Sequence, residues 1–306
     1  MIDTNNLTKE FEDVTAVEGL TFHVAEGEIF GLLGPNGSGK TTTIRMLTGL
    51  IAKTKGEARI AGFEIGNQAD SLQLRKLIGL VPDNVGLYEE LTAYENLDYF
   101  GKLYGCPEQK RKTSIKYFLE MFELWQARDK AVGGFSKGMK QKVAIARALV
   151  HDPKILFMDE PTANLDPESA KIVRDFILGL KKEGRTIFVN THNLDEAQRI
   201  CDRIGILKTR LLAVNTPEEL KESVWGNKIQ IQLKKITDAI LDAVTKLKPK
   251  NIQVEDNRMI IDVTDPLNEN PLLVRAIVAA GGDIQYISDL NPDLEEAYFS
   301  VIEDAK

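Results

Sequence analysis

The chain has 306 residues, 43% of them hydrophobic, which suffices for ordinary globular cores and is long for one average domain, so two are expected. Its 39 Lys and Arg against 46 Asp and Glu leave a net charge of −7, which argues against a broad nucleic-acid-binding surface. Cys106 and Cys201 lie far apart, and His23, His151 and His192 lack zinc spacing, so a reduced intracellular setting is expected, with neither secretory signal nor spanning helix, since no leader pattern opens the chain and no apolar run approaches ~18 residues.

In chain order, residues 1–60 read as strand-rich. Within them Ile29–Leu33 is an apolar run with the look of a buried strand, and a helix starts at Thr41. A turn-like segment over 62–70 leads to helical sequence at 72–77 and a short strand, Ile78–Val81. From Thr92 to about Ala131 the pattern turns helical: Leu119, Phe122 and the Leu124/Trp125 pair recur at helical spacing, and Pro107 opens a new helix after Gly105. Another helix starts at Ser136. Residues 154–158 form a buried strand that ends in Asp159-Glu160-Pro161, and Thr186–Thr191 and 204–207 are two more. Such alternation predicts a largely parallel sheet covered on its faces. Composition shifts near 223–227. Beyond it come an alternating strand (229–233), a helix (236–247), two strands joined by 255–258, a helix (271–280) closed by Gly281-Gly282, a strand (283–288) and a last helix (293–304). The order β-α-β-β-α-β resembles a ferredoxin-like unit.

Between the strand at Ile29–Leu33 and its helix, Gly34 to Thr41 reads GPNGSGKT and fits G-x-x-x-x-G-K-[ST], the phosphate-binding P-loop. Gly34, Pro35, Asn36, Gly37, Ser38 and Gly39, with Lys40, Thr41 and Thr42 at the helix start, are therefore candidate nucleotide-binding residues. Glycines let the backbone fold tightly, so that successive N–H groups point at one anion, and the helix N-terminus adds its dipole. Lys40 can reach the β- and γ-phosphates, and the Thr41 hydroxyl can ligate Mg²⁺. Asp159 and Glu160 stand together at the end of an apolar strand, where two carboxylates are costly without a function. Asp159 can hold Mg²⁺ through water, and Glu160 can take a proton from an attacking water; a helix-capping pair is the alternative. Ser136 opens its helix 23 residues before Asp159, within Gly133-Gly-Phe-Ser-Lys-Gly-Met-Lys-Gln141. It reads as an N-cap, and with Gly138 it also makes a second anion site.

The P-loop, Phe135-Ser-Lys-Gly-Met139 and Met158-Asp-Glu-Pro161 together resemble an ATP-binding-cassette (ABC) ATPase, the second segment being similar to the LSGGQ signature of that family. The match covers roughly residues 1–221. The resemblance implies a P-loop α/β cassette with a mixed sheet core and a helical subdomain at about 84–150, spanning 1–222, followed by a smaller α+β ferredoxin-like domain at 228–306. It implies that Asp166, in Asn164-Leu-Asp166, belongs to the loop linking two nucleotide sites across a dimer. It also implies that His192 touches the γ-phosphate, and that Phe11 stacks on adenine rather than packing in a core. Three positions depart from the pattern. Asp83 follows Val81-Pro82 where glutamine is common, and a carboxylate there can bind Mg²⁺ through water but cannot donate as an amide does. Lys137 and Met139 replace a glycine and a glutamine. Phe11 replaces the commoner tyrosine and keeps the ring face.

An acid in the lid, an SKGM-type signature and the ending Asn291-Pro-Asp-Leu-Glu-Glu-Ala-Tyr-Phe299 resemble a branch of exporters for drugs, antibiotics, polysaccharides or sodium. The expected protein is thus an ATP- and Mg²⁺-dependent ATPase at the cytoplasmic face of a membrane. It would power a separate permease through an ATP-bound homodimer, with Glu160, His192 and Lys40 catalytic and no nucleic acid involved. Residues 86–91 would face the permease or stand as a solvated loop. The C-terminal unit would stabilise or regulate the dimer, or be passive. Two other readings stand beside this one: a soluble ABC ATPase acting on ribosomes or DNA, and a weakly hydrolysing regulatory subunit.

Overall fold

The computed structural model describes residues 1–163, 165–225, 227–290 and 293–304. Two compact units divide the chain, Met1–Thr216 and Pro217–Lys306. The sequence placed that boundary after residue 222, but the helix Pro217–Trp225 packs with the last helix of the chain and so falls in the second unit.

The first unit opens with strands β1 (Ile2–Phe11) and β2 (Val14–Val24), an irregular antiparallel hairpin that buries Ile2, Leu7, Val17, Leu20, Phe22 and Val24. Strand β3 (Ile29–Leu33) is buried throughout and feeds helix α1 (Lys40–Leu47) through the P-loop. Then follow β4 (Lys55–Ile60), β5 (Phe63–Glu64), α2 (Gln68–Leu77), β6 (Ile78–Val81), α3 (Ala93–Leu103), α4 (Glu108–Met121), α5 (Lys137–Leu149), β7 (Ile155–Asp159), α6 (Pro167–Lys182), β8 (Thr186–Thr191), α7 (Leu194–Ile200), β9 (Arg203–Lys208) and β10 (Arg210–Asn215). Helix α4 ends at Met121, because Glu123 takes a left-handed φ of 59°; Leu124 and Trp125 lie beyond it, against the sequence expectation.

Two sheets result. One is antiparallel, in the order β2-β1-β4-β5; the other runs β10-β9-β3-β8-β7-β6, parallel except for the edge strand β10, which the sequence reading missed. Phenylalanines join them: Phe22 of the first sheet stacks on Phe30 of the second at 5.3 Å, and Phe188 lies 5.5 Å from Phe30. Rings of this size bury much apolar area and pack well in offset geometry. The core strands β3, β7 and β8 are buried on both faces, as parallel strands under helices must be. Their C-terminal ends therefore emerge together, and the catalytic candidates lie there.

The second unit contains α8 (Pro217–Trp225), β11 (Asn227–Leu233), α9 (Asp238–Thr245), β12 (Ile252–Glu255), β13 (Arg258–Val263), α10 (Pro266–Ala279), β14 (Ile284–Leu290) and α11 (Leu294–Asp304). Its antiparallel sheet runs β12-β13-β11-β14, the strand order of a ferredoxin-like unit. Ile229, Ile231, Met259 and Ile261 bury one face against Ile240, Val244, Leu273 and Ile277 of α9 and α10. Helix α10 starts five residues before the expected Pro271, because Asp265 caps it through the Asn268 N–H while Glu269 accepts from the Thr264 and Asp265 N–H groups. Of the C-terminal motif, Asn291 and Pro292 lie outside the described residues.

Candidate functional site

The P-loop curls back on itself at the end of β3. Lys40 is buried and donates to the Gly34 and Pro35 carbonyls at 2.7 and 3.1 Å, so its ammonium is held inside the loop. Burial pushes this ammonium below the ordinary lysine value, and the charges of Glu160 and Asp159 work against that fall. The loop demands its glycines. At Gly39 φ is 104°, and a Cβ would lie 2.5 Å from the Ala16 carbonyl oxygen; at Gly34 a Cβ would lie 2.3 Å from the Leu207 carbonyl oxygen. Among the described residues the buried Ser38 hydroxyl has no hydrogen-bond partner, as suits a cradle built for a polar guest. Asn36, Gly37, Ser38, Gly39, Lys40, Thr41 and Thr42 line a 220 Å³ cavity together with Ala16, Asp83 and Glu160. The lid aspartate and the candidate base thus face the phosphate cradle from separate strands.

Parallel register aligns the ends of β7 and β8. Asp159 ends β7 opposite Asn190 of β8, and Asn190 Nδ2 donates to Asp159 Oδ1 at 3.0 Å. Asp159 is buried, so this hydrogen bond orients its carboxylate. Glu160 turns sharply away: its φ of 53° is left-handed, a conformation that costs a non-glycine residue roughly 1–2 kcal/mol. Its N–H donates to the Asn190 carbonyl at 2.9 Å, and its Oε1 lies 2.8 Å from His192 Nδ1. Strain of this kind gathers at functional sites. Among the described residues no hydrogen bond supports the helix-capping alternative for the acidic pair; each carboxylate is engaged by β8 or by the residue just after it.

The other predicted residues form a second group. Ser136 caps α5 by accepting from the Met139 N–H at 3.2 Å. A Cβ on Gly138 would meet Ser169 Oγ at 3.0 Å and Asp166 at 3.8 Å, so this helix start abuts the start of α6. Asp166 caps α6 through the Ser169 N–H at 2.9 Å, a bond that holds its carboxyl below the usual range. Asn164 lies outside the described residues. Ser136, Gly138 and Asp166 do not line the cavity, and neither does Phe11. Phe11 is 45% exposed at the tip of the β1–β2 hairpin, with Lys9 Nζ 4.6 Å from its ring, so core packing does not account for it.

Three connections were not read from the sequence. Gln141 Nε2 donates to the Pro161 carbonyl at 3.0 Å, joining α5 to the turn after Glu160. Arg147, also on α5, donates to the Val85 and Gly86 carbonyls at 2.7 Å each and lies over Phe100, which ties the lid segment to the same helix. Asn190 orients Asp159; a lone amide in the otherwise apolar Ile187-Phe-Val189 strand was the available signal, since a buried amide needs a partner.

A family model described as "ABC transporter" matches residues 17–163. "Linearmycin resistance ATP-binding protein LnrL" of Bacillus subtilis (strain 168) is 33% identical over 98% of this chain and 98% of its own length. "Nod factor export ATP-binding protein I" of Rhizobium sp. (strain N33) is 42% identical over 74% of each chain. Among solved structures, one described as the "Dimeric structure of a post-hydrolysis state of the ATP-binding cassette MJ0796 bound to ADP and Pi" superposes with a TM-score of 0.64 at 28% identity, covering 71% of this chain and 98% of that one.

Proposed function

The chain belongs to the ABC transporter family as an ATP-binding, ATP-hydrolysing subunit, and from that premise we propose that it powers a separate membrane permease, as an exporter, through ATP-driven closure of a homodimer. One observation carries the reading: the P-loop, Asp83 and Glu160 line one cavity, with Lys40 inside the loop. In this mechanism the loop N–H groups and Lys40 grip the phosphates of ATP. Glu160, held in place by β8 and His192, takes a proton from the water that attacks the γ-phosphate, and His192 contacts that phosphate. Ser136, Gly138 and Asp166 of each subunit complete the site of the other, which makes a closed two-fold dimer with two composite sites. Phe11, exposed on its hairpin, stacks on adenine.

The same residues fit Mg²⁺. Among the described residues no three acidic, histidine or cysteine side chains converge, which suits an ion held by one or two carboxylates, a hydroxyl and nucleotide phosphates. Thr41, Asp159 and Asp83 are the oxygens that would hold it; when bound, it neutralises charge developing on the β- and γ-phosphates.

Permease docking is supported by an apolar groove of 430 Å³ lined by Leu50, Leu72, Leu80, Leu103 and Tyr104 among others. Leu50, Leu72 and Leu103 are each more than 60% exposed there, and contiguous apolar surface of this kind marks interaction sites. Tyr88, from the 86–91 segment, meets Tyr99 edge-to-face and stacks on Phe100. No described helix is long and apolar enough to cross a membrane, so the spanning would fall to another chain, with this one peripheral on the cytoplasmic face. Export is supported by relatives named for resistance and for Nod factor export. The test mixes Lys40→Ala and Ser136→Arg subunits and probes crosslinking with Mg²⁺–ATP. One composite site should form in the mixed dimer, and failure to trap any ATP-dependent dimer, with or without the permease, refutes the model.

A further inference from the structure

Glu196, on α7, is a carboxylate that the mechanism above leaves unused. It is 1% exposed, yet a buried carboxylate is expensive to hold. Its neighbours on the buried side of α7 are Ala197 and Ile200, and an apolar residue would fill the position without that cost. The hydrogen bonds around it form a closed ring. Thr191 Oγ1 donates to Glu196 Oε2 at 3.0 Å, the Asn193 N–H donates to Thr191 Oγ1 at 3.0 Å, and the Glu196 N–H donates to Asn193 Oδ1 at 3.0 Å. The residue enclosed between Thr191 and Asn193 is His192, whose ring meets Glu160 at 2.8 Å.

We infer that Glu196 is a positioning residue for ATP hydrolysis: its buried carboxylate orients the Thr191 hydroxyl, which accepts from the Asn193 N–H across His192, and so sets where the imidazole stands against Glu160. The Thr191 hydroxyl is the hinge of this arrangement, since it spends its proton on Glu196 and its lone pair on the Asn193 N–H. Without Glu196 that buried hydroxyl loses its acceptor and is free to rotate, and the turn carrying His192 loses one of its two ties. The carboxyl also looks toward the base. Among the described residues its other oxygen, Oε1, has no hydrogen-bond partner, and the Thr162 hydroxyl, two residues after Glu160, faces the group. Burial pushes the Glu196 carboxyl up, the Thr162 and Thr191 hydroxyls oppose that rise, and the charge of Glu160 adds to it. Glu196 thus meets Thr191, which precedes His192, and Thr162, which follows Glu160 by two residues, without reaching the reacting atoms. A misplacement of about 1 Å in such a contact costs up to about 100-fold in rate.

The inference rests on the proposed contact of His192 with the γ-phosphate, so His192→Ala is measured beside the variants that test it. Steady-state phosphate release against ATP concentration separates kcat from KM, and thermal melting reports folding. Glu196→Ala and Thr191→Val should each lower kcat by up to about 100-fold with KM for ATP unchanged. The double variant should lose no more than the worse single one, because both break the same tie. Glu196→Gln should restore most of kcat, since its amide oxygen still accepts from Thr191. Normal kcat in Thr191→Val overturns the inference even if Glu196→Ala does not fold. So does a loss in Glu196→Ala that tracks its melting temperature and is not reproduced by Thr191→Val. If His192→Ala abolishes turnover while Glu196→Ala and Thr191→Val turn over normally, only this inference fails; if His192→Ala is fully active, the proposed role of His192 fails and takes the inference with it.

Discussion

Replacing Glu160 by Gln separates proton transfer from every other task of the site. The amide keeps an oxygen in the position that lies 2.8 Å from His192 Nδ1, and the N–H of residue 160 still donates to the Asn190 carbonyl. The left-handed turn at φ 53° is a backbone property and stays. The basicity is lost, together with the negative charge that acts on Lys40. A positioned general base contributes about 10²–10⁴-fold, which is about 3–5 kcal/mol of barrier at 1.36 kcal/mol per decade. ATP binding should survive, because the cradle is made of P-loop backbone and Lys40, and Asp159 remains as a charge favouring the protonated ammonium. Phosphate release at saturating Mg²⁺–ATP measures the loss; fluorescent-nucleotide titration checks that affinity holds; size-exclusion chromatography should show an ATP-dependent dimer accumulating. A loss of turnover below about tenfold would refute Glu160 as the base. A parallel loss of nucleotide binding would refute the claim that the substitution leaves the cradle intact.

Lys40→Met should abolish nucleotide binding while leaving the fold at least as stable near neutral pH. Burial lowers the Lys40 pKa. Between that lowered value and the ordinary lysine value, the unfolded chain therefore holds a proton that the native chain has released, so wild-type stability rises with pH there. Below the window the native protein carries the whole cost of the buried charge. The melting-temperature advantage of Lys40→Met should thus be largest below the window and shrink as pH rises through it, and a difference independent of pH contradicts the argument. Gly34→Ala removes no polar atom, yet its Cβ would stand 2.3 Å from the Leu207 carbonyl oxygen and 2.6 Å from Ser38 Oγ. The loop must shift, at about 1–3 kcal/mol of stability, and nucleotide affinity should fall with it; unchanged affinity in titration would show that the cradle tolerates the movement.

Local chemistry made much of this molecule legible in one dimension. GPNGSGKT states its own backbone demands, because glycines are required where φ is positive or a carbonyl comes close, as at Gly39 and Gly34. The apolar runs at Ile29–Leu33 and Thr186–Thr191 are strands buried on both faces, and such runs can be read without knowing their neighbours. Ser136 as an N-cap is likewise a local statement, a hydroxyl meeting an N–H three residues on. Where a boundary depended on side-chain caps, as at Asp265 and Glu269, the reading of Pro271 as a helix start erred by five residues. Strand β10 was missed because its pairing with β9, rather than its own pattern, makes it a strand.

The sequence by itself determined the P-loop and named the acids, the serine and the histidine proposed to act on a phosphate there. The tertiary structure decided which of them meet. Parallel register put Asn190 beside Asp159, a left-handed turn aimed Glu160 at His192, and Asp83 came to the P-loop cavity from a strand on the far edge of the sheet. Those contacts join residues 31 or more positions apart. Only chain folding brings them within hydrogen-bond range, and no local propensity or spacing encodes them.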